Sequence, residues 1–366
     1  YETVSWIQDH DYTDEQSMFT IGSKDVNDVS TWGWRVVGEV PDKTDLLNVL
    51  AAKSGTQLYF AADRYATNGD AKVGFWFLQD DVARQGTGGG TFTGNHKVGD
   101  ILIESLFPRG GKIAAQYVKV WEWVGGDGPA GHLELQSALT GTDCSDAGVA
   151  GYDVCLTANQ GETTSAWGTD GAYTSKFSKG EGHSYVPGAF IEGALDLTAL
   201  FGEEIPCFGS YVAETRSSGS SVTSELKDVV DGAFNTCADI TVQKVRIGGS
   251  ASDTFEFTKG GDFSGTFDLT GATSAGSIGA GNETTFEDLF PGTYTITETD
   301  LPEGYTLTDI SCTGGDVEEN GAGDGVSITV DGGDIVTCTF TNGYTPEVEV
   351  KKELTPSDDA GPVLLD

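Results

Sequence analysis

Apolar residues in this chain come in short alternating runs cut off by glycine-rich breakers, a pattern that strands joined by turns satisfy and helix bundles do not. The stretch from Ala114 to Trp123 shows it most cleanly: Tyr117, Lys119 and Trp121 share one face, and Val118, Val120 and Glu122 share the other. Similar runs cover Thr31 to Val37, Gln57 to Ala62, Lys72 to Leu78 and Asp100 to Glu104. Breakers such as Asn68-Gly-Asp70, Gly86-Thr-Gly-Gly-Gly90 and Gly125-Gly-Asp-Gly-Pro129 separate them. With 52 glycines and one Met among 366 residues, the chain reads as all-β, opening with a jelly-roll-like β-sandwich of connected antiparallel strands. Two stretches depart from the pattern. Thr44 to Lys53 has an acidic start and a basic end and predicts a short helix, and Val222 to Val230 predicts a second.

Charge narrows the partners. Fifty-seven acidic residues against 20 basic ones leave a formal net charge of -37, which repels a phosphate backbone and anionic lipid headgroups alike. Nucleic acid and membrane surfaces are thereby excluded as primary partners, and no apolar run is long enough for membrane insertion. The chain opens at Tyr1 without a Met or a charged-then-apolar leader, so it reads either as a segment whose leader has been removed or as part of a longer chain. The six cysteines fall into three local pairs, Cys144/Cys155, Cys207/Cys237 and Cys312/Cys338, with no C-x-x-C and no His at metal spacing. Nearest-neighbour disulfides would each close a loop inside one domain, typically worth about 3 kcal/mol. A buried reduced set is the alternative. Bridges and high acidity together point to an oxidising, extracellular setting at the cell surface.

The texture changes near Asp239. Residues 1–238 read as the sandwich head, 239–345 as a second β-sandwich domain and 346–366 as a separate C-terminal strand, Pro346-Glu-Val-Glu-Val-Lys-Lys-Glu-Leu354, that copies the opening of the second domain with Lys352 in the place of Lys244. Within it Val348, Val350, Lys352 and Leu354 are the candidate pairing residues. Such a strand needs partners for its backbone groups. It either adds to a sheet edge of a neighbouring copy, which would make a homopolymer, or begins a further repeat.

The second domain carries Ile240-Thr-Val-Gln-Lys244, Phe290-Pro-Gly-Thr-Tyr-Thr-Ile-Thr-Glu298 with Leu301-Pro-Glu-Gly-Tyr305, and Thr339-Phe-Thr-Asn342. In these segments it resembles the prealbumin-like (Ig-like) repeats of bacterial surface proteins, related to the B-type stalk domains of collagen adhesins and to pilin stalk domains. The head, with Gly22-Ser-Lys-Asp25, Pro41-Asp-Lys-Thr-Asp45, Phe75-Trp-Phe77, Gly99-Asp-Ile-Leu102, Cys207-Phe-Gly-Ser210 and Arg216-Ser-Ser218, resembles the uncharacterised region that precedes such repeats in exported bacterial proteins. The resemblance implies an autocatalytic isopeptide bond between Lys244 and Asn342, assisted by Glu298. A Lys in a first strand and an Asn at a strand end are also ordinary strand residues, so the structural reading stays open.

No nucleophile elbow, H-E-x-x-H, P-loop or dinucleotide fingerprint is present, and the chain reads as a protein other than an enzyme. His10, His96, His132 and His183 are scattered and read as surface residues. Calcium is the cation that loop carboxylates would suit; Asp25 and Asp28 in one loop, Asp70 in another and Asp196 near the end of the head are the candidates, with Asx turns as the alternative. Trp32, Trp34, Trp76, Trp121 and Trp123 could be core or a sugar-stacking platform. Asn282-Glu-Thr284 is a glycosylation sequon. The leading expectation is a structural subunit of an extracellular filament, sheath or stalk, with itself as partner. The alternative is an adhesin whose head binds a glycan and whose second domain is a spacer.

Overall fold

Phe75, Trp76, Phe77 and Leu78 are consecutive and all buried, and a strand hides such a run only when a packed layer covers each of its faces. The computed structural model of the chain is built this way. It describes residues 3–9, 16–37, 40–107, 118–125, 133–136, 139, 141–142, 144, 153–164, 184–202, 204–216, 222–261, 263–346 and 350–351. Two compact units emerge: Tyr1–Asp239 with Glu287–Gly292 and Thr329–Ile335, and Ile240–Phe286 with Thr293–Ile328 and Val336–Asp366. The fold is all-β, with one α-helix, Leu197–Phe201, among the described residues. No helix among them is long and apolar enough to cross a membrane.

In the first unit, one six-stranded sheet runs in the order Thr3–Gln8, Leu46–Ser54, Gln57–Arg64, Phe190–Asp196, Val154–Ala158, Gly141–Thr142. A second runs Leu133–Leu135, Lys119–Trp123, Ile101–Phe107, Ala71–Leu78, Ser210–Arg216, Val229–Ala233. The period of two sorts the second sheet's residues cleanly. Phe75, Phe77, Ile101, Ile103, Tyr211 and Ala213 pack into one core with Val49, Ala51, Leu58 and Phe60 of the first sheet. Trp76, Leu78, Leu102, Val212 and Trp123 point the other way, into a second core with Phe19, Trp34 and Phe92. Those last three belong to a four-stranded sheet, Gln16–Phe19, Gly33–Val37, Gly89–Phe92 and Arg84–Gln85, which covers the outer face. The head sandwich therefore carries a third layer.

Both helix expectations fail. Thr44 to Lys53 falls largely within the strand Leu46–Ser54, paired with Thr3–Gln8 on one side and Gln57–Arg64 on the other. Leu46, Leu47, Val49, Ala51 and Ala52 are buried on both faces, so this run has no polar face to reveal its period. Residues 222–224 form a turn, and the strand Val229–Ala233 follows. Of the strand expected over 114–123, Lys119–Trp123 is described; Tyr117 lies outside the described residues.

The second domain is a sandwich of two sheets. One has the order Glu283–Leu289, Ala238–Ile247, Ile335–Tyr344, Tyr305–Thr313; the other has Gly265–Thr270, Thr254–Gly261, Gly292–Asp300, Gly325–Val330, Asp316–Glu319. Three disulfides join Cys144 to Cys155, Cys207 to Cys237 and Cys312 to Cys338.

Gly74 stands in register with Glu214 on the neighbouring strand. A Cβ there would lie 2.1 Å from Glu214 Oε1 and 2.9 Å from Leu102 Cδ1, so Gly74→Ala overpacks the core. The expected cost is about 1–3 kcal/mol, read as a lower urea midpoint for the first unit. An unchanged midpoint would mean that the Glu214 carboxyl moves aside freely.

Candidate isopeptide site

Three strands of the second domain share one inward pattern, two apolar residues two apart followed by a polar one. Ile240, Val242 and Lys244 lie on one inward face; Tyr294, Ile296 and Glu298 on another; Cys338, Phe340 and Asn342 on a third, and all nine are buried. The period of two carries each polar side chain into the core, because its backbone continues the same strand. Lys244 and Asn342 belong to hydrogen-bonded neighbours in one sheet, and Glu298 reaches them from the other. They meet there. Lys244 Nζ donates to Asn342 Oδ1 at 2.5 Å and to the Phe340 carbonyl at 3.1 Å. It stands 3.0 Å from Glu298 Oε1, while Asn342 Nδ2 donates to Glu298 Oε2 at 3.1 Å. Phe255 closes the site, its ring centroid 4.5 Å from Nζ.

Burial drives both titrating groups toward neutrality. It pulls Lys244 down to about 8, partly opposed by Glu298, and pushes the Glu298 carboxyl above its ordinary range, partly opposed by Lys244. The gap between an ammonium–carboxylate pair and an amine–acid pair is thereby narrowed. An amine in contact with an amide, beside a carboxyl touching both, is the set that acyl transfer from Asn to Lys requires.

The candidate cation ligands do not converge, and among the described residues no three His, Cys, Asp or Glu side chains form a group able to hold a metal ion. Asp28 caps a 3-10 turn, accepting from Ser30 N at 2.9 Å. Asp196 caps the helix Leu197–Phe201, accepting from Thr198 N at 3.0 Å. The Asp70 carbonyl accepts from Lys43 Nζ. Asp25 is fully buried, accepting from Trp76 Nε1 at 2.8 Å and lying 2.8 Å from Arg216 Nη2.

Asp25 belongs to an ionic cluster in the head that sequence reading missed. The buried Arg216 also meets Glu104 at 2.9 Å and Glu214 at 2.5 Å, and Lys72 meets Glu104 at 2.5 Å. Two cations face three carboxylates. Burial pushes Glu104 up, but Arg216 and Lys72 outweigh it and its carboxyl sits below its ordinary range. Burial raises Asp25, and raises Glu214 to about 8 against the pull of Arg216. Both carboxyls lie on the same guanidinium nitrogen and both are raised, so the proton that balances the cluster belongs to the Asp25–Glu214 pair. His96 is another surprise: its side chain is fully buried, with Nδ1 3.1 Å from Asp100 Oδ2 and its ring stacked on Trp123 at 4.1 Å. His10, His132 and His183 lie outside the described residues.

Trp32, Trp34, Trp76 and Trp123 are core residues and Trp121 is half-buried, so these rings form no exposed sugar platform. The sequon's Asn282 Nδ2 is engaged, donating to the Thr270 carbonyl at 2.8 Å. Val350 is exposed and outside any strand; Val348, Lys352 and Leu354 lie outside the described residues.

Residues 240–344 match the family model of the prealbumin-like fold domain, and this segment is a prealbumin-like domain. No curated protein matches the chain. Among solved structures, similarity extends to GBS52, the minor pilin of Streptococcus agalactiae, at 13% identity, 39% of this chain, 63% of that chain and TM-score 0.21. This chain thus spans less than two thirds of that pilin. A Mobiluncus mulieris adhesin containing intramolecular disulfide, isopeptide and ester bond cross-links is similar at 10% identity, 90% of this chain, 98% of that one and TM-score 0.24. The group B streptococcus pilus 2b backbone protein is similar at 11% identity, 84% and 97% coverage and TM-score 0.26. The domain assignment rests on the family match.

Glu214 supplies a pH test of the head. Its folded pKa of about 8 lies above the ordinary 4.5, so its contribution to stability is complete below about 4.5 and is lost as pH rises through about 8. The first unit should therefore melt at falling temperature over that window. Glu214→Gln should flatten the slope and raise the melting temperature at pH 9 by on the order of 3 °C. A slope unchanged by the substitution would remove Glu214 as its source.

Proposed function

We propose that this chain is a structural subunit of an extracellular surface assembly whose prealbumin-like domain closes an amide bond between Lys244 and Asn342. The buried contact of Lys244, Glu298 and Asn342 carries the reading. The disulfides suit the same oxidising setting.

The chemistry follows from the contacts. Lys244 passes a proton to Glu298 Oε1, and the resulting amine attacks Asn342 Cγ. Glu298, lying beside both nitrogens, relays a second proton from the attacking nitrogen to the departing one, and ammonia leaves. Of the three ammonium hydrogens, one stays in the new N–H, one departs in the ammonia and one remains on Glu298. The apolar surround keeps out the water that would hydrolyse Asn342 instead.

The bond would tie the first strand of the domain to its last. Tension entering at one and leaving at the other would then pass through a covalent amide rather than through the hydrogen bonds of the sheet. This is a useful property in a stalk and explains why two ionisable groups are kept in an apolar core.

The wild-type chain should have an intact mass about 17 Da below its disulfide-corrected value, and proteolysis should yield a branched peptide joining Lys244 to Asn342. Glu298→Gln should retain most of the full mass, and Asn342→Ala all of its own. Because Asn342 precedes Gly343, a succinimide would lose the same ammonia; finding that product in place of the branched peptide would overturn the reading.

A further inference from the structure

The last strand, Ile335–Tyr344, has a weakness that its sequence makes plain. Val336, Cys338 and Phe340 point inward while Thr337, Thr339 and Thr341 alternate with them. Sliding it by one residue would turn every side chain over, which the core forbids. Sliding it by two, so that Val336, Cys338 and Phe340 take the inward places of Cys338, Phe340 and Asn342, keeps those three places apolar and a Thr in most of the others, with Asp334 entering the place of Val336. The alternation of Val336, Cys338 and Phe340 does not by itself forbid that slip; what opposes it is Asp334 at the strand's start and the loss of Lys244's amide partner, since it would carry Asn342 about 7 Å along the strand, out of reach of Lys244.

The neighbouring strand Tyr305–Thr313 supplies what the pattern lacks. Cys312 is in direct register with Cys338 and bonded to it. From there the ladder runs through Ser311 with Thr339, Ile310 with Phe340 and Asp309 with Thr341, then shifts so that Leu307 pairs with Asn342. Thr308 is the extra residue. Its Oγ1 donates to the Thr341 carbonyl at 2.9 Å, placing a bulge, a device that re-aims side chains, directly beside Asn342. Cys338 and Asn342 share the inward face with Phe340 between them.

We propose that the Cys312–Cys338 bridge is the positioning device of the amide-forming step: it closes first, fixes the register of the last strand, and the bulge at Thr308 then aims Asn342 at Lys244 and Glu298. This rests on the amide reading of the triad given above. In the first step two thiols give up two protons and two electrons to an external disulfide. The second step involves no oxidation and releases ammonia. The cysteines touch none of the reacting atoms. Once the amide exists, the bridge lies inside the span from Lys244 to Asn342 and carries none of the tension applied along the chain, so its use is confined to assembly.

The test follows the appearance of the branched Lys244–Asn342 peptide with time after cell-free synthesis of the full chain. Wild type is made with a glutathione disulfide buffer and under reduction, beside the double variant Cys312→Ala, Cys338→Ala. As a control, Ile328→Val, in the other sheet of the domain, lowers stability with the bridge intact. The double variant should form the amide on the order of tenfold more slowly or worse, in either buffer. Reduced wild type should recover its rate on reoxidation, and Ile328→Val should keep the wild-type rate. Equal rates for wild type and the double variant would overturn the proposal while leaving the amide reading intact, and so would equal slowing by Ile328→Val, which would make the bridge a mere stabiliser. Oxidised wild type that never yields the branched peptide would overturn both.

Discussion

The second domain is organised around a lysine ammonium that its own strand pattern forces into an apolar core. Lys244 continues the inward row begun by Ile240 and Val242, and it is fully buried. A lone charge there would cost several kcal/mol. It is tolerated because Glu298, Asn342 and the Phe340 carbonyl meet it, and the same desolvation brings amine and acid toward neutrality. The desolvation that makes the arrangement expensive as a salt bridge is also what the proposed amide formation would draw on.

The head faces the same difficulty and answers it differently. Arg216 is buried between the central sheet and the layer that covers it, held by Asp25, Glu104 and Glu214. Trp76 and Trp121 donate to two of those carboxylates, at 2.8 and 3.2 Å. No amide faces a lysine in this cluster. It is a network of paired charges that pins a loop, three strands and two indoles together, and the proton held by the Asp25–Glu214 pair sets its balance. Removing the Arg216 guanidinium would leave its carboxylates uncompensated, whereas in the second domain a single ammonium is met by one carboxyl and one amide.

Much of the architecture can be read from alternation and breakers, because antiparallel strands with one polar face advertise their period. Alternation is silent where both faces are buried: within Thr44 to Lys53 the apolar run has no exposed polar side, and the acidic start and basic end that suggest a helix mark the two ends of a strand instead. The ionic cluster is hidden for another reason: Glu214 and Arg216 share the strand Ser210–Arg216, but Asp25 comes from a loop and Glu104 from another strand, and only tertiary packing brings them together. His96 looked like a scattered surface residue for the same reason. The loop carboxylates were legible only as turn formers; Asp28 and Asp196 spend their oxygens on backbone and hydroxyl donors close in sequence. The triad was visible through resemblance. It also has a signal of its own, an apolar pair two residues apart followed by Lys, Glu or Asn on three strands, and that signal has meaning only when the three strands are known to face one core.

The most direct measurement of the central claim is the length of a single molecule stretched by its two ends with its disulfides reduced. An amide between Lys244 and Asn342, 98 positions apart, keeps that span from extending, so fully stretched wild type should be shorter than Asn342→Ala by roughly 330 Å. Equal final lengths for the two chains would contradict the account.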